Sequence, residues 1–593
     1  MLKRTEPDET LAALLARRAE EAPDARAYAL LGDGGAVSRE ITYAGLDAAA
    51  RRVAGALRSR AAPGDRALIA FPAGIDMLAG FFGCLYAGLV PVPAPPPEAS
   101  RRKRTLPRLI SILDDAGIAV ILSSGDVTAL LRDLAAETPA LAALDILDIA
   151  ETEGAEPAAP VAGDPGAIAY LQYTSGSTTT PKGVMLTHRN VQHHCRDLRA
   201  DLGYDADSAS ITWLPYYHDY GLVEGLLAPL QNGTPAYILS PFSFLKRPVG
   251  WLDAMSRHRC THTQAPNFAY DQCLRRLRPG QAEAMDLSHV VSMGNGAEPI
   301  NAEVLERFHA AFAPAGLRRE ALCPAYGLAE ATLMMTCRRP GEAPRVLDVD
   351  AAALRAGRAV PAAEGAEGTQ RLVSCGRPMG AVEVAIVDPE TATCLPEGAV
   401  GEIWLRDASV AEGYWNRPED SDALFRARLA ETGEGPFLRT GDLGFLEGGE
   451  LFVTSRLKDL IIVAGQNHAP QDIEWSVERC HDAIRPQGVA AAALTGEGEE
   501  RLVVVAETER GAVATPEAAQ EIVAAIRRAC TEGHDVPAHA VLLMRRGSLP
   551  KTASGKIRRH ACTELVQAPG SDTLAHWIAG MPAPAMATDV IQD

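Results

Sequence analysis

Residues 173–183 read Tyr173-Thr174-Ser175-Gly176-Ser177-Thr178-Thr179-Thr180-Pro181-Lys182-Gly183. Hydroxyls, glycines and a lysine at this density suit the binding of a polyphosphate. The stretch is not a P-loop, because a P-loop has four residues between its first glycine and a Gly-Lys-Ser/Thr triplet, and no part of the chain has that spacing. Taken alone, the stretch could also be a Ser/Thr-rich turn between an apolar strand and a following helix.

Composition limits the classes of protein to which this loop can belong. The chain has 593 residues, of which 47% are hydrophobic and 22% charged, as in a globular enzyme too long for a single core. We therefore expect at least two domains. The formal net charge of −19 opposes binding to nucleic acid, because neutralising phosphates requires a surplus of Lys and Arg.

Cysteine usage and hydropathy predict a cytoplasmic protein without an integral membrane segment. The 11 cysteines form no C-x-x-C pair, and no His cluster has ligand spacing, so we expect reduced thiols and no zinc site. The N-terminal residues are too polar for a signal peptide. The longest apolar stretch, 77–92, is shorter than the roughly 20 residues that span a bilayer, and it predicts a buried helix followed by a strand.

The order of apolar patterns predicts an α/β fold. β-branched runs alternate with helical patterns through most of the first 450 residues, as in parallel sheets covered by helices, and from about 381 shorter strands suggest a small β-barrel-like subdomain. A smaller α+β pattern follows, with a helix that begins at Pro516 and has Thr515 as its N-cap. We predict an N-terminal domain of two helix-covered α/β subdomains plus the barrel-like one (1–455), a small C-terminal domain (459–570) and a flexible tail (571–593).

Four further motifs follow the loop in order. Each has an ordinary explanation by itself: a plain turn, a Glu at a helix N-terminus, a capping Asp or a solvated basic face. Five ordered motifs over nearly 400 residues are hard to obtain by accident. The four are Gly294-Asn295-Gly296-Ala297-Glu298-Pro299, Cys323-Pro324-Ala325-Tyr326-Gly327-Leu328-Ala329-Glu330, Arg439-Thr440-Gly441-Asp442 with Ser455-Arg456-Leu457-Lys458-Asp459, and Leu549-Pro550-Lys551-Thr552-Ala553-Ser554-Gly555-Lys556-Ile557-Arg558-Arg559.

The whole chain resembles the acyl-adenylate-forming enzymes, which include acyl-CoA ligases, luciferases and the adenylation domains of peptide synthetases. The resemblance implies ATP and Mg²⁺ as cofactors and a C-terminal domain that swings about Lys458. It implies Lys556 and Glu330 as catalytic residues, with Glu330 and Thr174 at the metal. The implied ATP-binding residues are Thr174, Ser175, Gly176, Ser177, Thr178, Lys182, Gly296, Ala297, Tyr326, Gly327, Asp442 and Arg456.

Within that superfamily, three segments resemble the fatty acyl-AMP ligases. The first is 213–222, Trp-Leu-Pro-Tyr-Tyr-His-Asp-Tyr-Gly-Leu, which implies a catalytic role for His218 at the nucleotide and carboxylate end. The apolar helix expected at 223–230 would line an acyl tunnel with Val223, Gly225 and Leu226, although ordinary core packing explains any single leucine equally well. The second is an insertion at about 339–370, which in that family is associated with restricted domain swinging. The third is 463–474, which contains Gly-Gln-Asn-His-Ala-Pro-Gln-Asp-Ile-Glu.

We therefore expect a fatty acyl-AMP ligase, which activates a fatty acid to acyl-AMP and passes the acyl group to the phosphopantetheine thiol of an acyl carrier protein for polyketide or lipopeptide synthesis. We also expect a monomer. Asp219 alone could suggest an amino-acid substrate, as in the peptide synthetases. The alternatives are a fatty acyl-CoA ligase and a catalytically silent acyl- or nucleotide-binding protein, and the presence of Lys556, Glu330 and Asp442 speaks against the latter.

Overall fold

The computed structural model describes residues 8–99, 102–173, 181–463, 466–496, 499–551 and 556–587. Its mixed α/β architecture confirms the predicted fold class. Within these residues no helix is both long and apolar enough to cross a bilayer. Nine of the 11 cysteines are buried, as expected of small core residues.

The largest element is a nine-stranded sheet that separates two hydrophobic clusters. Its six central strands are parallel, and antiparallel strands extend it at both edges. Loops at the carboxyl ends of parallel strands meet at one edge of a sheet, which is where α/β proteins bind ligands. In spatial order the strands are Arg377–Pro378, Met334–Cys337, Leu322–Gly327, Ser292–Asn295, His262–Ala265, Ser210–Thr212, Ala236–Ile238, Arg26–Leu31 and Val37–Thr42.

Residues 66–148 contain a second sheet of four parallel strands, as predicted for two α/β subdomains. Its spatial order is Val90–Pro93, Arg66–Ile69, Ile118–Ser123 and Asp145–Asp148. A separate hairpin of Ile168–Tyr173 and Gly183–Thr187 joins the two subdomains in sequence. The α-helices preceding residue 381 are Leu11–Glu21, Tyr43–Leu57, Ile75–Ala87, Arg102–Ala116, Gly125–Ala135, Pro139–Ala142, His188–Leu202, Ala228–Asn232, Pro241–Lys246, Val249–His258, Asn267–Arg276, Ala302–Phe312 and Ala351–Arg355.

The expected barrel-like subdomain is a small antiparallel sheet that stays open in the described residues. Its strands lie in the order Glu383–Val387, Gly401–Arg406, Leu438–Glu447 and Glu450–Arg456, and the helix Pro418–Phe425 precedes the third. In the described residues the first and last strands do not pair. Four strands are too few to close a barrel around a side-chain core.

The expected insertion contains a hairpin of Val346–Asp350 and Thr369–Val373. Its apolar side packs on the open sheet, where the rings of Phe445 and Phe452 stack with centroids 5.0 Å apart. Gln370, on the same face as Val349 and Leu372, reaches the C-terminal domain and donates a hydrogen bond to Asp472 at 2.7 Å. The hairpin therefore contacts both domains.

The C-terminal domain is built on a five-stranded sheet covered by helices Pro470–Arg479, Pro516–His534 and Arg559–Gln567, with a short hairpin of Ile461–Val463 and Gln466–His468. Thr515 caps the second helix by accepting from the backbone N–H of Ala518, which confirms the predicted cap. The strands, in order, are Ile484–Gly496, Glu499–Thr508, Ala538–Met544, Thr573–Ile578 and Ala585–Met586.

The prediction of a flexible tail at 571–593 was wrong for 573–586, because this segment supplies the last two strands of the sheet. Thr573–Ile578 pairs antiparallel with Ala538–Met544 and alternates buried and partly exposed residues. Trp577 is buried in the domain core beneath the guanidinium of Arg527, 4.0 Å from the ring centroid. The strand thus protects an edge that would otherwise be open.

Trp577→Ala should destabilise the C-terminal domain by about 3–5 kcal/mol, because it removes a buried indole from a packed core. Differential scanning calorimetry of the full chain would show this as a lower transition temperature of that domain. His576→Ala is the matched control on the more exposed face of the same strand, with an expected change within about 0.5 kcal/mol. Equal transitions for the two variants would contradict the assigned packing of Trp577.

Candidate active site

The polyphosphate loop itself, including Thr174, Ser175, Gly176, Ser177 and Thr178, lies outside the described residues. Lys182, at its end, does lie within them. Its ammonium contacts Asp420 at 2.7 Å and lies 4.9 Å from the ring centroid of Tyr414. Lys182 is therefore already paired with an acid, and a bound polyphosphate would have to compete with Asp420 for it.

Glu330 lies on the other side of Tyr414. The Tyr414 hydroxyl donates to Glu330 Oε1 at 2.7 Å, and the backbone N–H of Ala411 donates to the Glu330 carbonyl at 2.9 Å. Burial, together with the negative charge of Glu330, raises the pKa of Tyr414, so the phenol stays a donor. These contacts join Lys182 and Glu330 through one aromatic side chain.

Tyr326, Asp442 and Arg456 form a second group, and sheet register explains it. Asp442 and Arg456 are directly opposite on antiparallel strands, and the Arg456 Nε donates to Asp442 Oδ1 at 2.9 Å. The Tyr326 hydroxyl donates to the other carboxylate oxygen at 2.9 Å. The charge of Asp442 raises the pKa of Arg456. The sequence predicted these three residues for one nucleotide, and the fold places them in mutual contact.

The turn 294–297 leaves little room for a side chain at either of its glycines. A Cβ on Gly294 would lie 2.5 Å from the Tyr220 hydroxyl, and a Cβ on Gly296 would lie 2.9 Å from the Ala325 carbonyl oxygen. Ala297 has φ of +67°, in the left-handed region that non-glycine residues seldom adopt. Such backbone outliers concentrate at ligand sites. Gly327, also predicted to bind ATP, ends the neighbouring strand Leu322–Gly327.

His218 and Lys556 face a group of carboxylates. His218 Nδ1 contacts Asp219 Oδ1 at 2.5 Å. Burial by itself raises the pKa of Asp219, but the charge and hydrogen bond of His218 outweigh burial and lower it. Burial lowers the pKa of Lys556, whereas the charges of Asp219, Glu298 and Asp442 oppose that shift. The charges of these N-terminal acids, and the opposing charge of Arg456, therefore act on the C-terminal lysine.

Lys458, the expected pivot, lies in the short helix Leu457–Asp459 immediately after Arg456. Burial lowers its pKa. The next residue, Asp459, contacts Arg559 at 3.1 Å, and Arg559 also contacts Glu474 at 2.7 Å. The connection between the domains is therefore held by charges on its C-terminal side.

The expected tunnel helix at 223–230 has different limits and a different geometry. A π-helix spans Tyr220–Leu227, and an α-helix continues from Ala228 to Asn232. Val223 and Leu226 are buried in the core. Gly225 faces the large sheet, where a Cβ would lie 2.8 Å from Gln264 and 2.9 Å from Thr212, so it allows close contact with the sheet.

Beside the site, the fold brings His193, Asp197 and Asp407 together, with one ligand atom from each within 4.8 Å of the others. This cluster was not predicted from the sequence, because Asp407 is distant from the two helix residues in the chain. Its hydrogen bond with Asp407 raises the pKa of His193, as in an ion pair. The cluster ties the helix His188–Leu202 to the loop that leads to Tyr414.

Comparisons with known proteins agree with this geometry. A family model described as AMP-binding enzyme matches residues 15–415. The chain belongs to this family. A second model, described as the AMP domain of Disco-interacting protein 2-like proteins, matches residues 458–567.

The relatives of this AMP-binding enzyme match it over nearly their whole length. The medium-chain-fatty-acid–[acyl-carrier-protein] ligase JamA of Moorena producens is 47% identical over 93% of this chain and 94% of its own. The long-chain-fatty-acid–AMP ligase FadD26 of Mycobacterium marinum is 38% identical over 96% and 99%. A crystal structure of a Legionella pneumophila fatty acyl-adenylate ligase with acyl adenylate and pyrophosphate has a TM-score of 0.73 and 34% identity over 98% and 99%.

Three residues of this AMP-binding enzyme's site escaped the sequence analysis. Tyr414 contacts Glu330 and Lys182, Asp420 pairs with Lys182, and Glu298 accepts from the backbone N–H of Phe268 at 2.6 Å while facing Lys556. Glu298 was quoted within a motif but given no role. The only signal for Tyr414 was its place in Gly413-Tyr414-Trp415, an aromatic pair after a glycine.

Asp442→Asn should weaken the binding of AMP about tenfold or more, because hydrogen bonds to a charged group contribute about 1.5–3 kcal/mol. Isothermal titration calorimetry with AMP measures this directly. Asp388→Asn is the control, since that carboxylate follows the strand Glu383–Val387 of the same sheet and accepts from N–H groups of its own turn, those of Glu390 and Thr391. If Asp442→Asn melts like the parent protein and binds AMP equally well, Asp442 is not part of the nucleotide site.

Proposed function

We propose that this enzyme uses ATP to activate a fatty acid to its acyl-AMP and then transfers the acyl group to the phosphopantetheine thiol of an acyl carrier protein. The observation that carries the proposal is that Asp219, Glu298 and Asp442 of the N-terminal domain all act electrostatically on the ammonium of Lys556 from the C-terminal domain. The full-length similarity to JamA, named as a ligase that acts on an acyl carrier protein, supports the choice of acceptor.

The first half-reaction joins two anions, so positive charge must be supplied where they meet. A carboxylate oxygen attacks the α-phosphorus of ATP, and the bond to the bridging oxygen of pyrophosphate breaks. Lys556 would lie between the acid and the α-phosphate, where a preorganised cation lowers the barrier by roughly 3–4 kcal/mol. Lys182 would exchange Asp420 for the departing phosphates. In the second half-reaction the thiol attacks the acyl carbonyl, and AMP departs as the leaving group.

Glu330 is the described residue that fits Mg²⁺, because a carboxylate oxygen held by one phenolic donor matches the hard ligands this ion prefers. When bound, the ion would neutralise charge on the pyrophosphate. Asp442 would accept from the ribose hydroxyls, and Tyr326, with its hydroxyl fixed on Asp442, would present its ring to adenine.

The choice between carrier protein and CoA depends on the insertion hairpin. Its apolar side packs with Phe445 and Phe452, whereas Gln370 and Arg355 contact Asp472 and Asp535 of the C-terminal domain. We propose that these contacts favour the arrangement with Lys556 docked, which is sufficient for adenylation.

The experiment that tests the function is a mass-spectrometric assay of the products formed from a series of fatty acids with ATP. We expect acyl-AMP and pyrophosphate from the enzyme alone, an acyl thioester on a phosphopantetheinylated carrier protein, and little acyl-CoA when CoA is the acceptor. Rapid stoichiometric conversion to acyl-CoA would instead identify a fatty acyl-CoA ligase. No pyrophosphate release with any acid would refute the proposed activity altogether.

Lys556→Ala should slow acyl-AMP formation about a hundredfold or more, because the transition state loses its cation. Thioester formation from preformed acyl-AMP should remain largely intact. Lys551→Ala is a control for charge loss on the same C-terminal segment, since the Lys551 ammonium donates to the backbone carbonyl of Gln487 within its own domain at 2.6 Å. An equal loss in both half-reactions would show that Lys556 supports the fold and has no specific role in adenylation.

A further inference from the structure

Glu224 is an acid in the middle of the otherwise apolar π-helix of Tyr220–Leu227. It is 1% exposed, and its Oε2 has no hydrogen-bond partner among the described residues. The Tyr220 hydroxyl, one turn earlier, also has no partner there. Leaving a buried polar group unpaired costs about 1–3 kcal/mol, so two such groups in one place require an explanation.

The sheet beneath this helix is polar on the facing side. Ser210, His262 and Ser292 lie side by side on three parallel strands, and two residues further along Thr212, Gln264 and Gly294 do the same. Side chains two apart on a strand share a face. Gln264 donates to the Thr212 hydroxyl at 3.0 Å and to the Tyr220 carbonyl at 3.2 Å. A tunnel that binds only an alkyl chain would not require these polar side chains.

Glu224 lies close to the nucleotide turn. A Cβ on Gly294 would lie 3.6 Å from Glu224 Oε1 and 2.5 Å from the Tyr220 hydroxyl, and a Cβ on Gly296 would lie 3.7 Å from the same hydroxyl. The side chains of Glu224 and Tyr220 therefore cover the strand end that leads into the Gly296-Ala297 turn. An acyl chain that runs from the adenylate along the π-helix would pass them.

Among the described residues, phenols and thiols surround Glu224, and no cation shifts its pKa. The negative charge of Glu224 raises the pKa values of Tyr204, Tyr220, Tyr270, Cys323 and Cys337. Burial alone raises the pKa of Glu224 to about 8. The group would be stabilised by a hydrogen-bond donor or by a cation delivered from outside the protein.

We propose that Glu224 selects carboxylic acids whose acyl chain bears a hydrogen-bond donor, a hydroxyl or an ammonium group, over plain fatty acids. The proposal rests on the adenylating function proposed above and specifies its substrate class. Glu224 acts as a specificity residue and takes no part in the reaction at phosphorus. The hydroxyl or ammonium would satisfy the carboxyl oxygen that has no partner among the described side chains.

The test compares pyrophosphate release from medium-chain acids with release from the same acids carrying a hydroxyl at successive carbons or a terminal amine. For the parent enzyme we expect kcat/KM for the best donor-bearing acid to exceed that for the plain acid by about tenfold or more, because sites built for a hydrogen bond reject analogues that lack it. Glu224→Leu should lower this ratio at least tenfold while plain acids remain substrates.

Glu224→Gln is the isosteric control and separates the two donor classes. An amide still accepts from a hydroxyl but cannot neutralise an ammonium, so the hydroxy acids should retain their advantage and the amino acids should lose it. This variant also decides the matter if Glu224→Leu does not fold. A parent enzyme that activates plain acids as well as every donor-bearing acid, or a ratio that is the same in all three proteins, would overturn the proposal. Absence of release with any acid would instead refute the adenylating function.

Discussion

The ion pair of Asp442 with Arg456 links the candidate nucleotide site to the segment that joins the two domains. The two residues face each other across an antiparallel ladder, and Tyr326 from the large sheet holds the second oxygen of the carboxylate. The chain leaves this ladder at Arg456 and enters the segment with Lys458 at once. Any shift of the strand that carries Arg456 therefore alters the carboxylate and the start of the C-terminal domain together. Removing one partner would leave the other charge uncompensated, at a cost that solvent lowers because the Arg456 side chain is 44% exposed.

The cations of the site are each matched with an acid before any substrate arrives. Lys182 pairs with Asp420, Arg456 with Asp442, and Lys556 with the field of Asp219 and Glu298. In a chain with a net charge of −19, a site that attracts polyphosphate has to concentrate its cations locally. Exchanging one anion for another requires less reorganisation than desolvating a bare ammonium, so the acids keep these side chains in place without closing the site.

Interactions between residues close in the chain could be predicted from the sequence, whereas those between residues far apart in the chain could not. Thr515 caps its helix through the N–H of Ala518, three residues away, and this local pattern was predicted correctly. The strand Thr573–Ile578 was missed because it pairs with Ala538–Met544, some thirty residues earlier, and the local sequence does not indicate this pairing. Tyr414 and Asp420 were missed for the same reason, since their partners Glu330 and Lys182 are separated from them by 84 and 238 residues. Resemblance to a family supplied the members of the Asp442 group, and only the fold supplied their contacts. The loop residues 174–178 lie outside the described part, so their roles stay predictions.

The insertion hairpin contacts the N-terminal and C-terminal domains through different sets of interactions, and salt affects apolar packing and exposed ion pairs differently. On the N-terminal side it is held by apolar packing through Phe445, Phe452 and Leu372, which added salt does not weaken, and by the ion pair of Arg371 with Glu306. Its hold on the C-terminal side includes the ion pair of Arg355 with Asp535, whose carboxylate is 75% exposed. The Debye length is about 8 Å at physiological ionic strength and falls to about 3 Å at molar salt, so exposed pairs of this kind are readily screened. At high ionic strength we therefore expect the pair of Arg355 and Asp535 to contribute less to the contact between the hairpin and the C-terminal domain, whereas the apolar packing on the N-terminal side persists.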